Sequence, residues 1–172
     1  VVIEISHCGI CHSDIHTVRG EWGPATFPCV PGHEIVGRVV KVGQKVKRFK
    51  VGDYAGVGCL VNACGKCPAC KANEEQFCPD CVFTYDRKDT DGTVTMGGYS
   101  TCIVVREKFT LKIKKDQPME RIAPLLCAGN YQRGINVVGP SGFGAPNSWN
   151  PALVRKAAAL AAVHMRIVGV TC

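Results

Sequence analysis

The sequence predicts a mainly β domain over residues 1–129, followed by an incomplete α/β segment over residues 130–172. Glycine and proline together account for 29 of the 172 residues, which is typical of a turn-rich β domain. After residue 135 the order changes to a buried strand, a glycine loop, an apolar helix and another buried strand. That order is typical of the start of a parallel sheet with crossover helices.

The individual elements follow from short apolar runs bounded by turns. Alternation and β-branched residues predict strands at 1–6, 33–43, 52–58, 97–105 and 108–114. Pro118 begins a short predicted helix that ends at Gly129. Beyond it, strands are predicted at 135–139 and 166–171, and a helix begins at Pro151 with Asn150 as its cap.

Four cysteines lie close together in a long lobe at residues 60–96, with the spacing C-x2-C-x2-C-x7-C: Cys64, Cys67, Cys70 and Cys78. A loop of this length needs an internal staple. Four thiolates around a tetrahedral zinc ion would provide one and leave no room for substrate, and Gly65 and Pro68 suit the tight turns required. An iron–sulfur cluster is the main alternative, but its last gap is normally three residues rather than seven. Four unligated thiols are the remaining alternative.

A second metal site is suggested by three segments in which a cysteine or histidine stands beside glycine: "GICHSDIH", "PGHEIVG" and "LLCAG". A lone residue of this kind is more often part of a core. Together, Cys11, His33 and Cys127 would supply two sulfurs and one nitrogen and leave a fourth position open. This ligand set is the one that catalytic zinc uses in alcohol dehydrogenases.

These motifs, with "PCVPGHEIVGRVVKVG", "GDYAGVGC", "MGGYS" and "APLLCAG" in the same order, resemble the zinc-dependent medium-chain alcohol dehydrogenases. The resemblance covers residues 1 to about 129 and is strongest to the cinnamyl-alcohol-dehydrogenase-like branch of bacterial aldehyde reductases. It implies a GroES-like catalytic domain with two zinc ions, followed by a Rossmann domain. It also implies hydride transfer between NADP(H) and primary alcohols or aldehydes, with aromatic or medium-chain substrates.

The resemblance also implies roles for individual residues. Cys11, His33 and Cys127 would hold the catalytic zinc, and Glu34 would lie beside it as an alternative ligand. Asp14 would orient the histidine ligand, although a carboxylate at a helix N-terminus is an equally good interpretation of the sequence alone.

Further roles concern the proton path, the substrate and the cofactor. Ser13 would pass the alcohol proton outward and His16 would form the outer end of that relay. Trp22 would form a wall of the substrate pocket, and His12 would lie near the cofactor pyrophosphate.

The predicted cofactor loop, "GPSGFG", departs from the family pattern. Gly139, Gly142 and Gly144 would approach the pyrophosphate, but Ser141 stands where the family has glycine. The segment "APNSWN" moves the following helix away from the phosphate position. No acidic residue ends "RIVGVT", which favours NADP over NAD.

Composition narrows the partners and the compartment. The sequence contains no run of about 18 apolar residues, so it predicts no membrane span. Metal-binding thiolates favour a reducing, cytoplasmic environment. The formal charge of +7 comes largely from lysines at 41–50 and 112–115, which are typical of solvated strand edges. The sequence therefore favours small-molecule partners over nucleic acid, and by analogy a possible homodimer.

Other interpretations of the whole chain stay open at this point. It begins without Met and in the middle of a predicted strand, so we expect a fragment. A zinc-stapled binding module without catalysis, an iron–sulfur electron-transfer protein and a basic zinc module on nucleic acid are the alternatives to an alcohol dehydrogenase.

We expect the 172-residue chain to bind NADPH weakly. Ser141 puts a side chain where the backbone should approach the pyrophosphate, and the displaced helix takes its N–H donors away from that position. Titration with NADPH, followed by nicotinamide fluorescence, should show no tight saturable binding, and tight binding would overturn the expectation.

Overall fold

The computed structural model describes residues 1–127 of the 172-residue chain. Its strands are β1 Val2–Cys8, β2 Ile35–Lys41, β3 Tyr54–Val57, β4 Leu60–Asn62, β5 Val82–Phe83, β6 Cys102–Val104 and β7 Leu111–Ile113. Its α-helices are α1 His12–Val18, α2 Pro68–Lys71 and α3 Met119–Ile122, and 3-10 turns occupy Glu75–Phe77, Glu107–Phe109 and Ala123–Leu126. The predicted α/β segment, the domain boundary at 129 and the glycine loop lie outside the described residues.

A five-stranded antiparallel sheet in the order β6-β1-β2-β3-β7 forms the body of the domain. Ile3 of β1 stands opposite Val39 of β2 on one side and Ile103 of β6 on the other, and all three are buried. Because side chains alternate along a strand, these residues line one face and form the main core with Ala55 and Val57 of β3. The prediction of a mainly β domain is confirmed for this part of the chain.

Several predicted elements are shorter than the sequence indicated, among them the strand predicted over 108–114, which becomes the 3-10 turn Glu107–Phe109 followed by β7. The strand predicted over 97–105 is limited to β6, because residues 97–99 hydrogen-bond to the loop at 30–32 instead of to a strand. The helix predicted from Pro118 becomes α3 and then the turn Ala123–Leu126. Pro124 lacks the N–H that an α-helix would need there, which explains the change of geometry.

The lobe at 60–96 is a separate small unit with its own two-stranded sheet, β4–β5. The fully buried Asn62 side chain donates to Asp89 and Thr90, and so ties β4 to the far side of the lobe. The apolar centre of the lobe is small and consists mostly of thiols around Ala63. A centre of this size offers little hydrophobic stabilisation, so a metal staple is physically reasonable here.

Helix α3 and the turn after it pack against the other face of the sheet. Val36 of β2 and Ile113 of β7 form a second core there with Ala123 and Leu126. Leu126 is buried, and this anchors the chain immediately before Cys127. Among residues 1–127, no helix is long and apolar enough to cross a bilayer.

Replacing Val57 by Ala should lower the free energy of unfolding by about 2 kcal/mol, because two buried methyl groups are lost and a cavity remains. Val104 of β6 is 74% exposed, so the same replacement there should change it by no more than about 0.5 kcal/mol. Urea unfolding of both variants in zinc-containing buffer measures the difference. Equal losses at the two positions would contradict the assigned core.

Candidate metal centres

The described residues contain two separate groups of possible metal ligands. Within each group, the ligand atoms all lie within 4.8 Å of one another. One group is Cys64, Cys67, Cys70 and Cys78, and the other is Cys11, His33, Glu34 and Cys127. The two groups use separate parts of the chain and differ in chemistry, so each is described by itself.

The four-cysteine group is a closed set of sulfur atoms. The Cys64 and Cys70 Sγ atoms are 3.9 Å apart, close to the separation of about 3.8 Å expected for two sulfurs on a tetrahedral zinc with bonds of about 2.3 Å. Cys70 and Cys78 are buried, and Cys64 and Cys67 are partly exposed. All four coordination positions would be filled by protein, which suits a structural ion rather than a catalytic one.

Tight turns bring backbone N–H groups onto these sulfurs. Cys67 N donates to Cys64 Sγ and Cys70 N donates to Cys67 Sγ, each at 3.4 Å. Gly65 makes the first turn possible with a positive φ of 71°, and Pro68 begins α2 at the second turn. Backbone N–H donors at Lys66 and Cys67 lower the pKa of the Cys64 thiol to about 6, which favours the thiolate that zinc binds.

The second group is assembled from three distant segments. Cys11 is the N-cap of α1, and His33 and Glu34 immediately precede β2. Cys127 directly follows the 3-10 turn that ends at Leu126. His33 and Glu34 are each 4% exposed, whereas the two cysteines are half-buried. Two soft sulfurs and one imidazole fit zinc, and they leave a position free that Glu34 or another oxygen can occupy.

Asp14 holds this group in place. Its Oδ2 accepts hydrogen bonds from Cys11 N at 2.9 Å and from the Tyr99 hydroxyl at 3.0 Å. Its Oδ1 accepts from Gly32 N at 2.9 Å and lies 3.2 Å from His33 Nδ1. An ionised carboxylate only accepts, so Nδ1 carries the proton and Nε2 is left to face an ion.

Asp14 therefore has both of the roles that the sequence left open, as a carboxylate at a helix N-terminus and as a partner of the His33 ring. It closes the capping box at the start of α1 through Cys11 N, and it also contacts the ring of His33. Burial by itself would raise the pKa of Asp14, but the hydrogen bond and charge of His33, together with the backbone N–H groups of Cys11 and Gly32, outweigh it and the pKa is lowered. The carboxylate is thus ionised although only 3% of the residue is exposed.

The neighbouring groups show that the site favours a positive charge. Burial lowers the pKa of His33, but the contacts with Asp14, Cys11 and Cys127 outweigh it and the pKa is raised. Burial raises the pKa of Glu34 to about 8, and the nearby Cys11 adds to the increase. A cation placed among these groups would balance negative charges that are otherwise costly to bury.

The residues predicted for proton transfer lie on α1. Ser13 Oγ is 3.5 Å from Cys11 Sγ, so its hydroxyl borders the metal group. His16, one turn further along, is about one-third exposed and its Nδ1 contacts Glu21. The order from Ser13 to His16 therefore runs from the metal group toward solvent.

The other predicted side chains, His12 and Trp22, both lie near the ring of His16. The His16 and Trp22 rings stack with centroids 5.0 Å apart, and the His12 and His16 centroids are 5.9 Å apart. Trp22 is 49% exposed. Its contact in the described residues is thus with the outer end of the proposed relay, and its place in a substrate pocket stays a prediction. The predicted cofactor glycines lie outside the described residues.

Sequence reasoning missed three residues around this site. Tyr99 donates to Asp14, the Tyr85 ring centroid lies 5.8 Å from that of His33, and Glu21 contacts His16. Tyr99 and Tyr85 come from loops more than 50 residues from His33, so no local spacing signals their proximity. For Glu21 a signal existed, because it stands beside Trp22 in the motif "EWG".

Comparison with solved structures shows the same architecture elsewhere. A cinnamyl alcohol dehydrogenase from Helicobacter pylori, solved in complex with NADP(H), superposes with a TM-score of 0.73 and is 52% identical, over 75% of this chain and 38% of that one. A second such enzyme, from Sorghum bicolor, has the same TM-score and 45% identity.

Sequence relatives agree with the structural ones. A probable cinnamyl alcohol dehydrogenase of Oryza sativa subsp. japonica is 53% identical over 129 residues, covering 75% of this chain and 36% of that protein. The chain thus spans about a third of the length of the curated relatives it matches. The family model of the alcohol dehydrogenase GroES-like domain matches residues 1–115. The fold, the relatives and the family match agree: this chain belongs to the alcohol dehydrogenase GroES-like family.

Proposed function

We propose that the chain is the zinc-binding catalytic part of an alcohol dehydrogenase that interconverts primary alcohols and aldehydes by hydride transfer with NADP(H). The observation that carries the proposal is the partly buried group of Cys11, His33 and Cys127, with Glu34 beside it and Asp14 contacting the histidine ring. A structural role needs no such open ligand set, because the four-cysteine group already fills that role in the lobe.

Cys11, His33 and Cys127 would hold the ion in this group, and Glu34 would serve as an alternative ligand. A zinc ion bound there supplies a Lewis acid that polarises a carbonyl oxygen and lowers the pKa of an alcohol. Cys11 and Cys127 contribute negative charge, and Asp14 makes the His33 ring a better metal ligand by accepting a hydrogen bond from its Nδ1–H. The four cysteines of the lobe would hold a second, structural ion.

The proton of the alcohol would leave by way of α1. The Ser13 hydroxyl borders the ligand group, where it can take a proton from a substrate and pass it on. His16 lies toward solvent, and its contact with Glu21 restrains the imidazole. The surface position of His16 suits the release of a proton to water.

Substrate and cofactor assignments rest on the relatives. Several are named for cinnamyl alcohol, two for mannitol and one for 8-hydroxygeraniol, so the family accepts varied alcohols. We favour aromatic or medium-chain substrates, with Trp22 in the pocket wall. The Helicobacter pylori enzyme binds NADP(H) in its solved complex, and His12, Gly139, Gly142 and Gly144 remain the proposed contacts in this chain.

Two broader assignments follow from the same chemistry. Both metal groups need reduced thiolates, which fits a protein of the cytoplasm. The partners we propose are small alcohols and aldehydes, with a homodimer as the expected assembly by analogy to related enzymes.

The purified chain should contain two zinc ions, and His33→Ala should reduce the content to one. The remaining ion should stay with the four-cysteine group, so the lobe should keep its structure. Cys78→Ser is the matched variant and should lose the other ion instead. Elemental analysis together with circular dichroism measures both effects. One zinc in the unaltered chain would favour the alternative of a zinc-stapled module without catalysis.

Activity can be tested in a chimera in which residues 1–129 replace the matching segment of the Helicobacter pylori enzyme. The chimera should oxidise NADPH in the presence of cinnamaldehyde. Ser13→Ala should lower kcat about a hundredfold, because a positioned proton-transfer group contributes a factor of this order.

Ser6→Ala is the control for that variant. The Ser6 hydroxyl lies on β1 and donates to Val36 O and Met119 Sδ, neither of which belongs to a proposed ligand, so kcat should not change. A chimera with two zinc ions and no activity would contradict the proposed reaction, and equal losses in the two serine variants would contradict the role of Ser13.

A further inference from the structure

We infer that Tyr99 is a positioning residue for the metal ligand His33 and acts through Asp14. The inference rests on the proposed zinc site. The Tyr99 hydroxyl donates to Asp14 Oδ2 at 3.0 Å, and the opposite oxygen of the same carboxylate contacts His33 Nδ1 at 3.2 Å. Tyr99 and His33 thus share one buried carboxylate, although 66 positions separate them in the chain.

The motif "GGYS" is built to place this hydroxyl. Residues 97–99 run along the loop at 30–32, with hydrogen bonds from Gly98 N to Gly32 O at 2.8 Å and from Tyr99 N to Pro31 O at 3.0 Å. Gly97 N donates to Val30 O in the same way. This loop is the one that leads directly into His33, so Tyr99 is held against the segment whose ligand it supports.

The two glycines are needed for this approach. A Cβ added at Gly97 would come within 2.5 Å of Gly32 O, and a Cβ at Gly98 would collide with Ile35. Any side chain at either position would push the tyrosine away from the loop. The two glycines therefore allow the close backbone approach that places the Tyr99 hydroxyl beside Asp14.

The four donors around Asp14 divide evenly between its two oxygens. Oδ2 is shared by Cys11 N and the Tyr99 hydroxyl, and Oδ1 is shared by Gly32 N and His33 Nδ1. Without the hydroxyl, Oδ2 keeps only the Cys11 N–H among these four, so the torsion about the Asp14 Cβ–Cγ bond is held less tightly. Rotation moves Oδ1 relative to the imidazole and loosens the direction in which Nε2 points.

The consequence should appear in metal affinity rather than in folding. Groups that orient a metal-bound histidine typically affect metal affinity by 10–100-fold, which we take as roughly the range for Asp14 itself. Tyr99 is separated from the ligand by one more hydrogen bond than Asp14 is, so losing its hydroxyl should lower the zinc affinity by about tenfold or less. The Tyr99 hydroxyl also lies 3.3 Å from Gly9 O, so its one proton is shared between this carbonyl and Asp14 Oδ2.

The test uses the full 172-residue chain with Tyr99→Phe, which keeps the ring and removes the hydroxyl. Tyr54→Phe is the matched control, since Tyr54 packs against the second core around Val36. Zinc is titrated in competition with a chromophoric chelator, and Co²⁺ replaces zinc to give a ligand-field spectrum. Tyr99→Phe should weaken the His33 site about tenfold and shift its cobalt bands, while the four-cysteine site and the control stay unchanged.

A double-mutant cycle separates the proposed route from simple packing. If Tyr99 acts through Asp14, adding Tyr99→Phe to Asp14→Asn should cause little further loss of affinity. Additive losses would overturn the route through Asp14, and unchanged affinity and spectrum in Tyr99→Phe would overturn the inference while leaving the second zinc in place. An unaltered chain with one zinc would instead overturn the proposed function itself.

Discussion

A single buried carboxylate organises the site of this domain. Asp14 is almost fully buried and ionised, and it accepts hydrogen bonds or contacts from four donors. Leaving a buried charge unpaired costs several kcal/mol, so the segments that carry these donors are held together by the need to satisfy it. Helix α1, the loop before β2 and the loop at 97–99 therefore meet at one point, and two of the proposed metal ligands, Cys11 and His33, lie at the ends of the first two segments.

The remaining cysteine ligand reaches the site by hydrophobic packing. Leu126 and Ala123 pack on Val36 at the face of the sheet opposite the main core. This packing places Cys127 next to Cys11 and His33. The ligand group thus combines two kinds of force: hydrogen bonds position one side and apolar burial the other. The four-cysteine lobe is different, because its ligands are close in sequence and the turns between them provide the geometry.

This difference explains how much the sequence could predict. The four-cysteine group was evident from spacing, since three of its ligands lie within seven residues. Cys11, His33 and Cys127 were grouped from their glycine-flanked segments, and the resemblance to a family supported the grouping, because their separations carry no local signal. The role of Tyr99 was not predicted, since it depends on a contact across 85 residues to Asp14. The strands were predicted well where apolar alternation is regular, and poorly at 97–105, where backbone bonds to the loop at 30–32 replace a strand.

One domain is expected to carry two metal centres of different design. Diffraction from crystals of the zinc-loaded chain on both sides of the zinc absorption edge tests this most directly. We expect two anomalous peaks, one enclosed by the four sulfurs of the lobe and one bounded by Cys11, His33 and Cys127. Density for a single peak in the lobe, or a disulfide joining Cys11 to Cys127, would contradict the two-centre design.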